Sequence, residues 1–102
     1  MAKTDVKVKI KPNLKLSEPS LFKVLYMNDN VTTMEFVVHS LVDYFNHSIE
    51  GAVELTKNIH NSGSAIVAVL PYEIAEQKSI EVTLEARSQS YPLQVTIESE
   101  TA

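Results

Sequence analysis

The sequence predicts an α+β fold: a small three-stranded sheet with three helices packed on one face, in the order β-α-α-β-α-β. Three observations carry this. Three short runs of strand type, Leu21–Met27, Ala65–Leu70 and Leu93–Ile97, are separated by segments with helical periodicity. Those segments begin at residues that cap or start helices and end at Asn46, Gly63 and Pro92. At 102 residues, with 44% apolar and 22% charged side chains, the chain has room for one ordinary domain.

The first strand, Leu21 to Met27, is apolar apart from Lys23 and reads as buried. It runs into a polar turn, Asn28-Asp29-Asn30. Thr32 with Glu35 is expected to form a capping box, the hydroxyl taking an orphan N–H while the carboxylate reaches back. Met34, Val37, Val38, Leu41 and Phe45 then give one apolar stripe at helical spacing. Asn46 and His47 punctuate, and Ser48 caps a second helix with the stripe Ile49, Ala52, Val53, Thr56, Ile59 and His60, stopped by Gly63. Ala65 to Leu70 is the second buried strand, and Pro71 suits the first turn of a third helix.

The third helix is contested by its own pattern. Ile80, Val82, Leu84 and Ala86 alternate like a strand, whereas Ala75, Ser79, Val82 and Ala86 form a stripe of small residues at helical spacing. Four glutamates between residues 73 and 85, with Gln77 and Lys78 and no turn signal, favour helix. Pro92 ends it, and the last strand alternates from Leu93 to Ile97.

Ahead of these elements, residues 1–19 read as a flexible basic extension and residues 20–102 as the folded core. Val6-Lys7-Val8-Lys9-Ile10-Lys11 alternates with period two, but three lysines and a following proline disfavour an isolated strand there. The net charge of −4 conceals a division. Five lysines against Asp5 give residues 1–16 a net +4, so residues 17–102 carry −8. A basic arm precedes an acidic body, which suits an acidic partner for the arm and disfavours nucleic acid as the main ligand.

Several function classes drop out. There is no cysteine, which excludes disulfide scaffolds, thiolate nucleophiles and cysteine-held metals, and fits a reducing compartment. Two glycines twelve residues apart cannot write a phosphate-binding loop. The run Ala65 to Leu70 is too short to span a bilayer, and the first five residues contain no apolar export segment, so a cytoplasmic location is expected. His39 and His47, eight residues apart, would sit about 80° apart around a helix axis and converge poorly on a metal. No serine is framed as a nucleophile. Neither a cofactor nor a metal is expected, and the chain reads as a non-enzyme.

His60 stands apart, on the apolar stripe of the second helix near its end. With Asn28, Asp29 and Asn30 it could build an acceptor-rich rim beside an apolar cleft. A neutral imidazole, amide oxygens and a carboxylate are what an ammonium group needs. Each residue also has an ordinary structural reading, as boundary histidine and turn residues.

Together, Phe22-Lys23-Val24-Leu25, Asn28-Asp29, Thr32, Met34-Glu35-Phe36-Val37, His60-x-x-Gly63, Glu73-Ile74-Ala75-Glu76-x-Lys78 and Tyr91-Pro92-Leu93 resemble the ClpS family over about residues 19–98. These are bacterial adaptors that bring N-degron substrates to the ClpA-type AAA+ unfoldase of the ClpP protease. The resemblance implies a ligand that is a protein N-terminus beginning with Leu, Phe, Tyr or Trp. It implies that Asn28 and His60 bind the free α-amino group, that Asp29 and Asn30 supply negative potential, and that Thr32 holds the first peptide unit. Met34, Val37, Thr56, Ile59 and Leu93 would line the side-chain pocket, and Glu73 and Lys78 would dock the unfoldase. The extension matches the family in position and would engage the unfoldase during delivery. The adaptor is expected to act as a monomer.

Two residues depart from the family pattern: Asn30 replaces a second acidic residue, and Thr56 replaces a pocket residue that is usually Met. Both are expected to alter affinity or residue preference. The alternative reading is a non-enzymatic interaction domain resembling the C-terminal domain of the ribosomal stalk protein, which lacks the Asn28-Asp29-Asn30 turn with a partnered histidine.

Overall fold

A computed structural model describes residues 20–100 of the chain. The elements are β1 (Leu21–Met27), α1 (Met34–Phe45), α2 (Ile49–Ser62), β2 (Ser64–Pro71), α3 (Tyr72–Ser88) and β3 (Gln94–Ser99). The expected β-α-α-β-α-β order is found. The expectations for residues 1–19, including the alternating segment 6–11, lie outside the described residues.

β1 occupies the centre of an antiparallel sheet ordered β2-β1-β3. Val24 faces Ala68 on one side and Ile97 on the other, and a register irregularity follows between Val24 and Leu25. Because alternate strand residues face opposite sides, Val24 and Tyr26 point one way and are fully buried. With Val67 and the half-buried Val95 and Ile97 they join a core completed by Phe36, Val37 and Leu41 of α1, Ala52 and Ile59 of α2, and α3. All three helices therefore cover one face.

The third helix is a helix, and its small residues are the reason. Ala75, Ser79, Val82 and Ala86 are all buried, a one-sided stripe that lets the backbone approach the sheet closely. Ile80 and Leu84, which gave the competing strand pattern, are instead 52% and 65% exposed. The stripe of α2 is narrower than its sequence suggests. Ala52, Thr56 and Ile59 are buried, while Ile49, Val53 and His60 are exposed.

Local details correct three expectations. The cap of α1 is Thr33 rather than Thr32: Thr33 Oγ1 accepts from the Phe36 amide at 3.1 Å, so no capping box with Glu35 forms. Pro71 serves as the residue before α3, not as its first turn. β3 begins at Gln94, leaving Leu93 in the preceding segment as a core residue, 1% exposed. Ser48 and Asn46 behave as expected, the first capping α2 through the Gly51 amide and the second ending α1 in the left-handed conformation.

Two polar ties fix α1 over the sheet. The buried Tyr26 hydroxyl lies 2.8 Å from Ser40 Oγ, which in turn donates to the Val37 carbonyl at 2.8 Å. Burial pushes the Tyr26 phenol far above its ordinary ionisation range, despite the Ser40 hydrogen bond that lowers it. Outside the helix, His47 Nε2 lies 2.7 Å from the Val67 carbonyl, so the N–H tautomer at Nε2 ties the α1–α2 connection to β2. His47 thus lies past the end of α1 and serves packing.

The decisive backbone position is Gly63. It ends α2 at φ 91°, where its amide returns to the Ile59 carbonyl at 2.9 Å. Its own carbonyl accepts from the Asn28 amide at 2.8 Å. A Cβ there meets nothing within 4 Å, so the requirement is conformational rather than steric. Gly63→Ala is expected to cost about 1 kcal/mol, the order of the left-handed penalty for a residue with a Cβ. For a domain of this size thermal denaturation should show Tm lowered by about 4–8 °C.

Candidate functional site

The bond between Asn28 and Gly63 brings the turn after β1 to the end of α2, and a cleft opens where they meet. It has a volume of about 250 Å³ and is lined by Asn28, Asp29, Asn30, Thr32, Met34, Val37, Thr56, Ile59 and His60. Nine residues singled out from the sequence are therefore brought together. The tenth, Leu93, does not line the cleft and lies in the core.

Asp29 organises the turn. Its Oδ1 accepts from the amides of Val31 at 2.8 Å and Thr32 at 2.7 Å, and its Oδ2 from the Thr32 hydroxyl at 2.8 Å. Partial burial pushes its carboxyl upward. The two backbone amides, the Thr32 hydroxyl and the charge of Arg87 outweigh that and hold it below the usual carboxylate range. Asp29 is thus both the framework of the turn and a fixed negative charge at the cleft. Thr32, displaced from its expected role as helix cap, donates its hydroxyl to that framework.

The remaining rim groups are unspent. No hydrogen bond among the described residues occupies the side chains of Asn28, Asn30 or His60. Asn28, Asn30 and His60 are exposed. Two amide oxygens and a ring nitrogen are acceptors, and beside a carboxylate they suit a small cation that carries N–H donors.

The other wall is apolar. Val37 and Ile59 are buried, only 7% and 3% exposed, and Met34 is 51% exposed at the mouth. Thr56 is buried, and its Oγ1 donates to the Ala52 carbonyl at 2.7 Å, so its hydroxyl is satisfied within α2. Met34 and Thr56 also border a second groove of about 340 Å³ between α1 and α2, with apolar walls at Val38 and Val53 and with Glu35, His39 and Lys57 around it. These two side chains form the boundary between the two spaces.

The start of α1 is braced from beneath by residues that sequence reasoning did not assign. Phe36 and Tyr91 stack edge to face at 5.3 Å, and the Thr33 hydroxyl reaches the Tyr91 hydroxyl at 3.4 Å. Arg87 Nη1 donates to the carbonyls of Tyr91 and Leu93 at 2.8 and 2.9 Å, which holds that segment in place. Phe36, Tyr91 and the following proline carried a signal, as part of a family pattern, whereas Thr33 and Arg87 carried none. Glu73 is exposed and Lys78 half-buried, both on α3 and neither lining the cleft. Among the described residues no three metal-ligating side chains converge, and no helix is long and apolar enough to cross a membrane.

Comparison with known proteins fits this geometry. The family model described as "ATP-dependent Clp protease adaptor protein ClpS" matches residues 17–96. The chain belongs to the ClpS family. It is 43% identical over 97 residues to the ATP-dependent Clp protease adapter protein ClpS of Rhodospirillum centenum, covering 95% of this chain and 88% of that protein. The ClpS of Clostridium acetobutylicum is 40% identical over 95 residues, covering 93% of this chain and 94% of that one. Among solved structures, Agrobacterium tumefaciens ClpS2 bound to L-phenylalaninamide superposes with a TM-score of 0.78 at 36% identity, covering 81% of this chain and all of that one. As a ClpS protein the chain is an adaptor of the Clp protease.

The Asp29 network sets a pH signature. A carboxyl held below its unfolded value contributes stability that is complete above about pH 4 and is lost as pH falls through the folded value. Asp29→Ala is expected to lower stability at pH 7, and to flatten the acid limb of a urea-denaturation series taken from pH 5 to pH 2. An unchanged acid limb would remove Asp29 from that role.

Proposed function

We propose that the protein binds protein N-termini that begin with a bulky hydrophobic residue, Leu, Phe, Tyr or Trp, and hands them to a ClpA-type AAA+ unfoldase of the ClpP protease. The observation that carries the reading is the union, in one cleft, of unspent acceptors and an apolar wall. The L-phenylalaninamide bound to the Agrobacterium relative supports it, since that molecule carries a free α-amino group and an apolar side chain on one carbon.

The recognition is amine capture with an apolar socket. An α-ammonium with pKa ~8 is mostly charged at neutral pH, and its three N–H donors must find acceptors once water is displaced. Asn28 Oδ1, a ring nitrogen of His60 and Asn30 Oδ1 are the partners, with Asp29 adding negative potential. Thr32 stands at the turn to meet the first peptide unit. The first side chain enters between Met34, Val37, Thr56 and Ile59, backed by the core to which Leu93 belongs. A β-branched side chain is wide close to the backbone, where Met34 guards the mouth, so it is disfavoured.

Asn30 makes this rim one charge poorer than an acidic residue would, and hydrogen bonds to a charged acceptor are roughly twice as strong as neutral ones. Thr56 spends its hydroxyl on Ala52 and is smaller than the Met expected there, so the socket is roomier on the side facing the second groove. Both features favour larger first residues over tighter amine binding. Glu73 and Lys78 on α3 form the docking surface for the unfoldase, and the basic arm engages the unfoldase during delivery. The protein acts in the cytoplasm as a monomer, without cofactor, catalysis or nucleic acid. A stalk-type interaction domain has no need of the unspent rim.

The test is a pair of peptides led by Phe, one with a free N-terminus and one acetylated. Acetylation removes the charge and two donors, so calorimetry should show affinity lower by at least about tenfold, the value of one lost polar contact of 1.4 kcal/mol. Equal binding, or none by either peptide, would contradict amine capture. Removing residues 2–18 should leave peptide affinity unchanged and abolish accelerated degradation of an N-degron reporter by the unfoldase and protease. Undiminished degradation would refute the role of the arm.

A further inference from the structure

The apolar stripes of α1 and α2 extend beyond what the core covers. Met34, Val38 and Val42 repeat every four residues on α1, and Ile49, Val53 and Thr56 run along α2. Of these only Thr56 is buried. Met34, Val53 and Ile49 are 51%, 36% and 65% exposed, and Val38 and Val42 are half-buried. Two hollows collect the uncovered side chains. One, of about 340 Å³, is lined by Met34, Val38, Val53 and Thr56; the other, of about 290 Å³, is lined by Val38, Val42 and Ile49. Val38 and His39 belong to both, so the two hollows are one furrow.

The furrow has a beginning and a direction. Met34 shares its hollow with Thr56, near the end of α2, and Val42 shares its hollow with Ile49, at the start of α2. The two helices therefore run past each other in opposite directions. The furrow opens at the amine cleft, which Met34 and Thr56 also line, and it runs towards the α1–α2 connection. Glu35, His39, Asp43 and Lys57 stand around this apolar strip. Apolar surface that is left uncovered and bordered by polar residues marks a place of contact.

We propose that the furrow takes the residues that follow the captured first one, and reads the third and fifth residues of the bound chain for apolar side chains. This rests on the amine-capture reading and deepens it. Size selects a peptide as the occupant. The furrow is about 12 Å long and no wider than the roughly 8–10 Å between packed helix axes. A stable folded partner or a second copy needs about 800 Å² on each side, several times that footprint.

Lengths set the register. At about 1.5 Å per residue along α1, Val38 lies about 6 Å and Val42 about 12 Å beyond Met34. In an extended chain, side chains two residues apart share a face and are about 6.6 Å apart, and those four apart are about 13 Å apart. With the first side chain in the socket beside Met34, the third meets Val38 and Val53, and the fifth meets Val42 and Ile49. The second and fourth side chains point away from the furrow, where polar residues suit them. Thr32, at the first peptide unit, stands at the head of this path.

The test is calorimetry on the full chain with L-phenylalaninamide and two amidated pentapeptides, Phe-Ser-Leu-Ser-Leu and Phe-Leu-Ser-Leu-Ser. The first pentapeptide should bind at least about tenfold more tightly than the second, because its two leucines leave water together. Ile49→Glu, an exposed substitution outside the amine cleft, should weaken the first pentapeptide at least about threefold and leave L-phenylalaninamide unchanged. Equal affinities for the two pentapeptides, with L-phenylalaninamide bound, would overturn the furrow and leave amine capture standing. Binding by none of the three would overturn both. A natural chain that sediments as a dimer, which Ile49→Glu dissociates without changing peptide affinity, would assign the furrow to a second copy and overturn the proposal as well.

Discussion

One backbone hydrogen bond, from the Asn28 amide to the Gly63 carbonyl, decides whether this protein has a site at all. It joins the end of the central strand to the end of α2, two places far apart in sequence. Without it Asn28 and His60 have no reason to share a rim. The bond depends on Gly63 taking a left-handed conformation, which turns its carbonyl away from the helix it terminates. On the other side, Asp29 fixes the turn by accepting three hydrogen bonds from the two residues that follow Asn30. A carboxylate so employed is charged and immobile, which is how a turn of polar residues becomes a directed negative patch.

The apolar half of the cleft depends on a different constraint, the seating of α1. Tyr26 and Ser40 pair beneath it, and Phe36 rests on Tyr91, whose segment is held by Arg87. Val37 belongs to both systems, since it lines the cleft while its carbonyl accepts from Ser40. Rim and socket are therefore built by separate interactions that meet at the start of α1. Under the proposed function, changes to the socket thus alter which side chain fits without disturbing the turn that supplies the acceptors.

Much of the fold was legible in the sequence because its signals were local. The caps at Ser48, Asn46 and Gly63 and the small-residue stripe of α3 all depend on neighbours within one or two turns. The error at Thr32 is instructive. Two adjacent threonines each precede the helix, and Glu35 made the first look like the cap. The structure gives Thr32 to Asp29 and leaves capping to Thr33, a choice set by the turn rather than by the helix. The meeting of Asn28 with His60 was not readable from spacing, because thirty-one residues, with all of α1 and most of α2, intervene. The residue types suggested a shared rim, and a family resemblance supported it. The same resemblance placed Leu93 in the pocket wall, whereas the geometry keeps it in the core. Arg87 carried no signal, since its role is to hold carbonyls in a loop that only tertiary structure defines.

The central claim is that the clasped turn and the end of α2 form one amine-binding rim with an apolar socket beside it. An NMR titration of the full chain with L-phenylalaninamide tests it most directly. The account predicts that the perturbed signals cluster at Asn28, Asp29, Asn30, Thr32, Thr56, Ile59 and His60, and at the Met34 methyl. Perturbations centred instead on the polar cleft between Phe36, Glu85 and Tyr91, or no perturbation at millimolar ligand, would contradict it.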